Sequence, residues 1–245
     1  MGQVTSLFKK DEELDKRNYR PVTVLPRVNN IFEKLLSVQI KDFYQGLLLD
    51  FISAYRRRHS CETALLKLTE DWRSCRDRKE LVAVVSMDLS KAFYTIPHPL
   101  LLAKLKAYGL SNSACALFAD YLSSRSQRVK VGDSFSVWQT VTRGVPQGSV
   151  LGPMFFNIFL NDLVYHIKDV NLHAYADDEQ LYDSDVDPGA LEQRILHHVR
   201  IVNQWHTENG MIVNPDKHHA MVQGTTEHKF FFSCRGLPRL AWSDH

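Results

Sequence analysis

Apolar residues recur along the chain with two different periods, and the switches between those periods outline its elements. Residues 1–18 are polar and charged, follow neither period, and read as a mobile tail. Asn18-Tyr19-Arg20-Pro21 opens an extended stretch, because the residue before a proline is pushed out of the helical region. From Asn29 onward, Ile31, Leu35, Leu36, Val38 and Ile40 predict an amphipathic helix. Ser60 to Asp77 predicts another, with Leu65, Leu66, Leu68 and Trp72 as its buried stripe. Leu81 to Met87 is a short apolar run rich in β-branched residues, as in a buried strand, and it ends at Asp88.

Pro99 to Tyr108 is helical, with Gly109 placed to end it, and Ser111 can cap a following helix through about Leu122. Arg128 to Val131 alternates as a strand, Gly132-Asp133 turns the chain, and Phe135 to Thr142 returns. Ser149 to Ile167 predicts a strongly apolar helix. Leu172 to Tyr175 and Gln180 to Tyr182 flank Ala176-Asp177-Asp178-Glu179, which predicts a hairpin with two acids at its tip. Pro188 begins a further helix with Leu191, Ile195, Val199, Val202 and Trp205 on its inner face, ended by Gly210. Met211 to Val213 and Ala220 to Val222 read as a last pair of short strands. The order predicts an α+β fold in which helices cover one face of an antiparallel sheet.

Composition narrows this picture only a little. An apolar fraction of 44% suits a globular core, and 30 Lys and Arg against 28 Asp and Glu leave a net charge of +2. Global charge therefore says nothing about a nucleic-acid partner, and any such case rests on local charge. Cys61, Cys75, Cys115 and Cys234 include no CxxC spacing, and the N-terminus lacks an apolar leader. These features point to the cytoplasm or nucleus rather than secretion, with no membrane span. Gly2 followed by Ser6 fits the short myristoylation pattern, but the acids after Lys9-Lys10 leave no polybasic anchor, and an arbitrary start is the simpler reading. His197-His198 and His218-His219 are adjacent pairs without a suitably spaced cysteine, and no zinc site is expected there.

One acid at the exit of a buried strand and two at a hairpin tip are a different matter. Three carboxylates converging from neighbouring strands can hold two divalent ions about 4 Å apart, and hard oxygen ligands suit Mg²⁺. Basic residues gather elsewhere, at Arg56, Arg57 and Arg58 and again at Arg125, Arg128, Lys130 and Arg143, as a surface that follows phosphates would.

Tyr175-Ala176-Asp177-Asp178 resembles the YADD box of reverse transcriptases from LINE-type non-LTR retrotransposons. Met87 to Phe93 is similar to that family's first carboxylate motif, and Gly144 to Pro153 to its template and nucleotide motif. Asn18 to Val22, His59 to Leu65 and Gly210 to Lys217 resemble further motifs, all in the family's order. The resemblance covers residues 18 to 224 or so. It implies a right-hand polymerase fold with interleaved fingers and palm, the antiparallel palm sheet being covered by helices. Residues 18–80 and 123–147 would be fingers, and 81–122 and 148–225 palm. Residues 1–17 would form a flexible tail.

The implied activity is RNA-templated DNA synthesis from deoxynucleoside triphosphates on a DNA primer, with two Mg²⁺ ions that Mn²⁺ can replace. Asp88, Asp177 and Asp178 would be the catalytic metal ligands, with the Leu89 carbonyl beside them. Phe93 would wall off a ribose 2′-OH, Gln147 and Gly148 would meet the nucleotide, Arg20 its triphosphate and Lys217 the leaving pyrophosphate.

Tyr94 departs from the family, which carries an acid there. If that acid accepts backbone hydrogen bonds, tyrosine leaves the loop less firmly held. Phe230 to His245 do not resemble the family, so residues 226–245 are expected to form an atypical tail with the thumb largely absent, and no endonuclease is expected before the first motif. The competing readings are an inactive retrotransposon remnant with weak nucleic-acid binding and a metal nuclease on another scaffold. The second leaves Pro146-Gln147-Gly148 unexplained.

Overall fold

The computed structural model describes residues 2–224 apart from 9–11, 13, 16, 17, 90, 124, 215 and 216. The chain divides into two units, Met1–Leu47 with Phe93–Phe159 and Leu48–Ala92 with Leu160–His245. The first unit holds β1 (Gly2–Phe8), β2 (Tyr19–Val24), α1 (Arg27–Leu47), then, past the start of the second unit, α3 (Ala92–Thr95), α4 (His98–Ala107), α5 (Asn112–Leu122), β4 (Ser126–Val131), β5 (Ser134–Phe135), β6 (Gln139–Thr140) and α6 (Gly152–Leu160). The second holds α2 (Cys61–Asp77), β3 (Leu81–Asp88), β7 (Asn171–Tyr175), β8 (Asp178–Asp185), α7 (Pro188–Glu208) and β9 (His219–Gln223). No helix among the described residues is long and apolar enough to cross a membrane.

In the first unit the sheet order is β2-β1-β4-β5, with β6 also on β4. β1 runs antiparallel to β2 and parallel to β4. The N-terminal segment is thus a strand over Gly2–Phe8, with Val4 buried, and not the mobile tail expected. Its partner in β4 lies more than a hundred residues away, and its alternation is too brief to register against the flanking charges.

α1 forms where the pattern predicts it, but it turns the other way. Glu33, Leu36 and Tyr44 are buried, whereas Ile31, Leu35 and Val38 are 60%, 60% and 74% exposed. α5 begins as expected, with the Ser111 hydroxyl accepting from Ala114 N. Phe118 meets Phe155 edge-on at 5.1 Å, at the centre of this unit's core. The helix expected over 149–167 stops at Leu160 and resumes as a 3-10 turn over Leu163–His166. Beyond that stop the Asn161 side chain accepts from Leu49 N.

The second unit is built on a four-stranded antiparallel sheet, ordered β7-β8-β3-β9. α7 seats Leu191, Ile195, Val199, Val202 and Trp205 on one face, all buried, each stabilising the unit by about 1.5–3 kcal/mol. Asp187 caps this helix through Gly189 N, and Arg194 reaches back to Asp183 and Asp185 at the end of β8. α2, opened by a reciprocal cap between Ser60 and Thr63, covers the other face. Its Leu68 and Trp72 pack against Val82, Val84 and Tyr182, while Leu65 and Leu66 stay exposed, contrary to the expected stripe. The helical cover therefore extends to both faces rather than one. Alternation along β3 and β8 carries this sidedness to the strand ends: Asp88 and Asp178 share the α2 side, and Glu179 faces α7.

Candidate active site

β3 is buried for most of its length and releases the chain only at Asp88, so the core fixes the backbone of that residue. Asp88 and Asp178 are the last register pair of the β3–β8 ladder. Residues directly opposite in such a ladder have Cβ atoms roughly 4.5–5.5 Å apart on one face. Asp177 stands next to this pair in a two-residue turn, since Tyr175 and Asp178 close the β7–β8 hairpin. Ala176, the first turn residue, has φ of 59°, a conformation that favours glycine and costs alanine roughly 1–2 kcal/mol.

Charge has accumulated at this tip. The Asp178 carboxyl is held above the usual carboxylate range by partial desolvation, then by the negative charges of Asp177 and Asp88, with Lys217 opposing. Asp178 still opens to solvent, so this is the desolvation of a sheet end rather than of a core. Lys217 Nζ lies 3.1 Å from Asp88 Oδ2. The segment bearing it is docked on the strand exit, where Asn214 N donates to the Asp88 carbonyl at 3.2 Å and Val213 bridges Leu89. An all-carboxylate set with repelling charges fits a hard divalent cation. Among the described residues, no group of three His, Cys, Asp or Glu lies within metal-holding distance.

The glycine-containing turn at 144–149 is held by its own unit. Gly144 has φ of 81°, and a Cβ there would stand 2.5 Å from the Tyr94 Cα. Gly148 has φ of 106°, with Thr23 O 3.0 Å from where its Cβ would be. The Gln147 carbonyl accepts from Thr23 N at 2.9 Å. Tyr94 donates its hydroxyl to the Pro21 carbonyl and stands 3.4 Å from Gln147 Oε1. Burial pushes that hydroxyl up to about 12, so it stays a donor. Tyr94 is thus tied to this turn by donating a hydrogen bond, where the sequence reading has an acid accepting one.

The chain matches the family model for reverse transcriptase (RNA-dependent DNA polymerase) over residues 8–232. The chain belongs to the reverse transcriptase family. It is 30% identical over 223 residues to the probable RNA-directed DNA polymerase from transposon BS of Drosophila melanogaster, covering 85% of this chain and 24% of that protein. Against the RNA-directed DNA polymerase from mobile element jockey of the same species it is 26% identical, covering 83% and 23%. The chain thus spans about a quarter of the length of these relatives. Apo telomerase from Candida tropicalis, truncated from its C-terminal domain, shares the fold with a TM-score of 0.61 at 14% identity, over 93% of this chain and 51% of that one. The right-hand polymerase fold follows, and the family works with divalent metal ions.

Other reverse transcriptase motif residues are placed unequally. Phe93 is buried and stacked on Phe156 at 4.8 Å, and its carbonyl accepts from Val145 N. Arg20 lies in β2, with its side chain outside the described residues. Arg56 is committed to its own loop, donating to the Leu49 and Ile52 carbonyls, and so is withdrawn from the expected phosphate surface, whereas Arg57 and Arg58 are exposed. Arg128 lies over the rings of Phe135 and Trp138, Lys130 over Phe135, and Arg125 over Tyr121. Arg143 is exposed.

Two groups escaped the sequence reading. Glu33, fully buried in α1, accepts from Tyr121 Oη and Val150 N, each at 2.6 Å, and weakly from Leu151 N at 3.4 Å. It thereby ties down the start of α6, next to the Gln147 turn. Its only sequence signal is an acid inside an apolar helical window. The other group is Glu179 with His206, also buried, one residue beyond the aspartate pair.

Proposed function

We propose that this chain is the fingers and palm of a reverse transcriptase that extends a DNA primer on an RNA template from deoxynucleoside triphosphates. The observation that carries the reading is the register opposition of Asp88 and Asp178, with Asp177 in the adjoining turn. Asp88, Asp177, Asp178 and the Leu89 carbonyl would hold two Mg²⁺ ions. When bound, such ions activate the primer hydroxyl and neutralise phosphate charge.

The chain's own residues do the rest. Two strands and a tight turn present the three carboxylates from rigid backbone. Lys217 supplies a positive charge beside them, suited to the leaving pyrophosphate. Gln147 and Gly148, on a turn locked by Gly144, Thr23 and Tyr94, meet the nucleotide, with Arg20 at its triphosphate and Phe93 against its sugar. Arg57, Arg58, Arg125, Arg128, Lys130 and Arg143 follow template and primer phosphates; the aromatic rings under Arg128 offer stacking surfaces as well. Fingers at 18–80 and 123–147 and palm at 81–122 and 148–225 complete the assignment.

Primer extension tests it. With Mg²⁺, the chain should add dTMP to oligo(dT) on poly(rA), and Asp177→Asn should abolish the addition. No incorporation by the parent would leave the inactive remnant as the better reading.

A further inference from the structure

On the face of β8 turned away from the aspartates, Glu179 is fully buried between its register partners Met87 and Ala174. His206, in the last turn of α7 and 1% exposed, donates from Nε2 to Glu179 Oε2 at 2.9 Å. Glu179 Oε1 and His206 Nδ1 have no hydrogen-bond partner among the described residues, and neither ring nitrogen of the fully buried His218 has one. Burying a carboxyl group and imidazoles beneath a sheet carries a desolvation cost that apolar residues in the same space would not. The cost is borne one residue from Asp178.

What it achieves is directional. An apolar pair can slide, whereas a hydrogen bond between a strand and a packed helix fixes both distance and angle. The backbone of His206 serves the other half of the site: its carbonyl accepts from Met211 N at 2.8 Å. That bond starts the segment whose Asn214 and Lys217 reach Asp88. One residue therefore meets the hairpin through its side chain and the Asp88 clasp through its main chain.

We propose that Glu179 and His206 are positioning residues, whose hydrogen bond ties the aspartate hairpin to α7 and sets the spacing of Asp177 and Asp178 from Asp88. The proposal rests on reading those aspartates as metal ligands.

Hydrogen exchange on the full chain, with Mn²⁺ titration alongside, tests it. Glu179→Leu and His206→Leu should each speed amide exchange over residues 175–180 well beyond any change at the β3 centre, residues 82–85. The double variant should go no further than either single one, because a single bond is removed. Glu179→Gln, which keeps an acceptor oxygen, should stay near the parent. Mn²⁺ affinity should fall about tenfold in each leucine variant, as for lost support behind metal ligands. Hairpin exchange that rises only in step with the whole unit, or Mn²⁺ affinity unchanged in the leucine variants, overturns the proposal. Should Glu179→Leu fail to fold, His206→Leu carries the same test. If Asp177→Asn and Asp178→Asn leave parental Mn²⁺ binding intact, the metal reading fails, while the local exchange response still supports the tether.

Discussion

Tyr121→Phe removes one oxygen atom and isolates one consequence of burying Glu33. In the parent the Tyr121 hydroxyl donates to Glu33 Oε1 at 2.6 Å, while Oε2 takes the backbone N–H groups of Val150 and Leu151. Burial, then the Glu33 carboxylate, push the tyrosine up to about 12, so it donates at every pH where the protein is handled. Phenylalanine keeps the ring against Phe155 at 6.2 Å, and packing is little changed. What is lost is a hydrogen bond to a charged acceptor, worth about 1.5–3 kcal/mol, in a place water does not reach. For a chain of this size that lowers the melting temperature by about 3–12 °C. Urea unfolding followed by circular dichroism measures the loss. In a Glu33→Gln background the same substitution should cost about 1 kcal/mol less, because the acceptor is neutral. A loss under about 0.5 kcal/mol in the parent background would show that Oε1 does not depend on this donor, and the argument for Glu33 as anchor of α6 would fail.

Arg194→Met should destabilise the protein by about 1 kcal/mol at pH 7. Asp185 is held below the usual carboxylate range by the Asp187 backbone N–H and then by Arg194, so this stability is present above the unfolded value near 3.9 and is lost as pH falls through the depressed folded value. A deficit that stays constant down to about pH 2 would contradict that linkage. Tyr94→Phe should cost about 1 kcal/mol through the lost bond to the Pro21 carbonyl. Tyr94→Asp should cost more, since it faces an acid with the acceptors Pro21 O and Gln147 Oε1; a more stable Tyr94→Asp would show that the position wants an acid. Phe93→Val should raise ribonucleotide relative to deoxynucleotide incorporation in primer extension, and unchanged selectivity in an active variant would leave Phe93 as a packing residue on Phe156.

The elements legible in the sequence are those whose pattern is decided locally. β3 is apolar from Leu81 to Val85 because both faces are covered, α7 repeats its five inner residues at helical spacing, and the acidic hairpin is bracketed by alternating strands. The resemblance groups Asp88, Asp177 and Asp178, and the β3–β8 register sets Asp88 opposite Asp178. What stayed hidden depends on partners distant in sequence. β1 pairs with β4 across more than a hundred residues. α1 buries a glutamate because Tyr121 and Val150 supply its hydrogen bonds, so its apolar periodicity pointed to the wrong face. Glu179 looked like one more acid at a loop tip; only its parity in β8, opposite to that of Asp178, marks it as inward, and nothing in the sequence names His206 as its partner. Arg56 belonged to a basic run but serves its own loop.

We propose that Asp88, Asp177 and Asp178 form one site for two divalent ions. Equilibrium Mn²⁺ titration followed by electron paramagnetic resonance counts those ions directly. Two bound ions per parental chain are expected, with binding lost in Asp88→Asn, Asp177→Asn and Asp178→Asn, each with an unchanged far-ultraviolet circular dichroism spectrum. Mn²⁺ binding that is equally strong in the parent and in all three variants would contradict it.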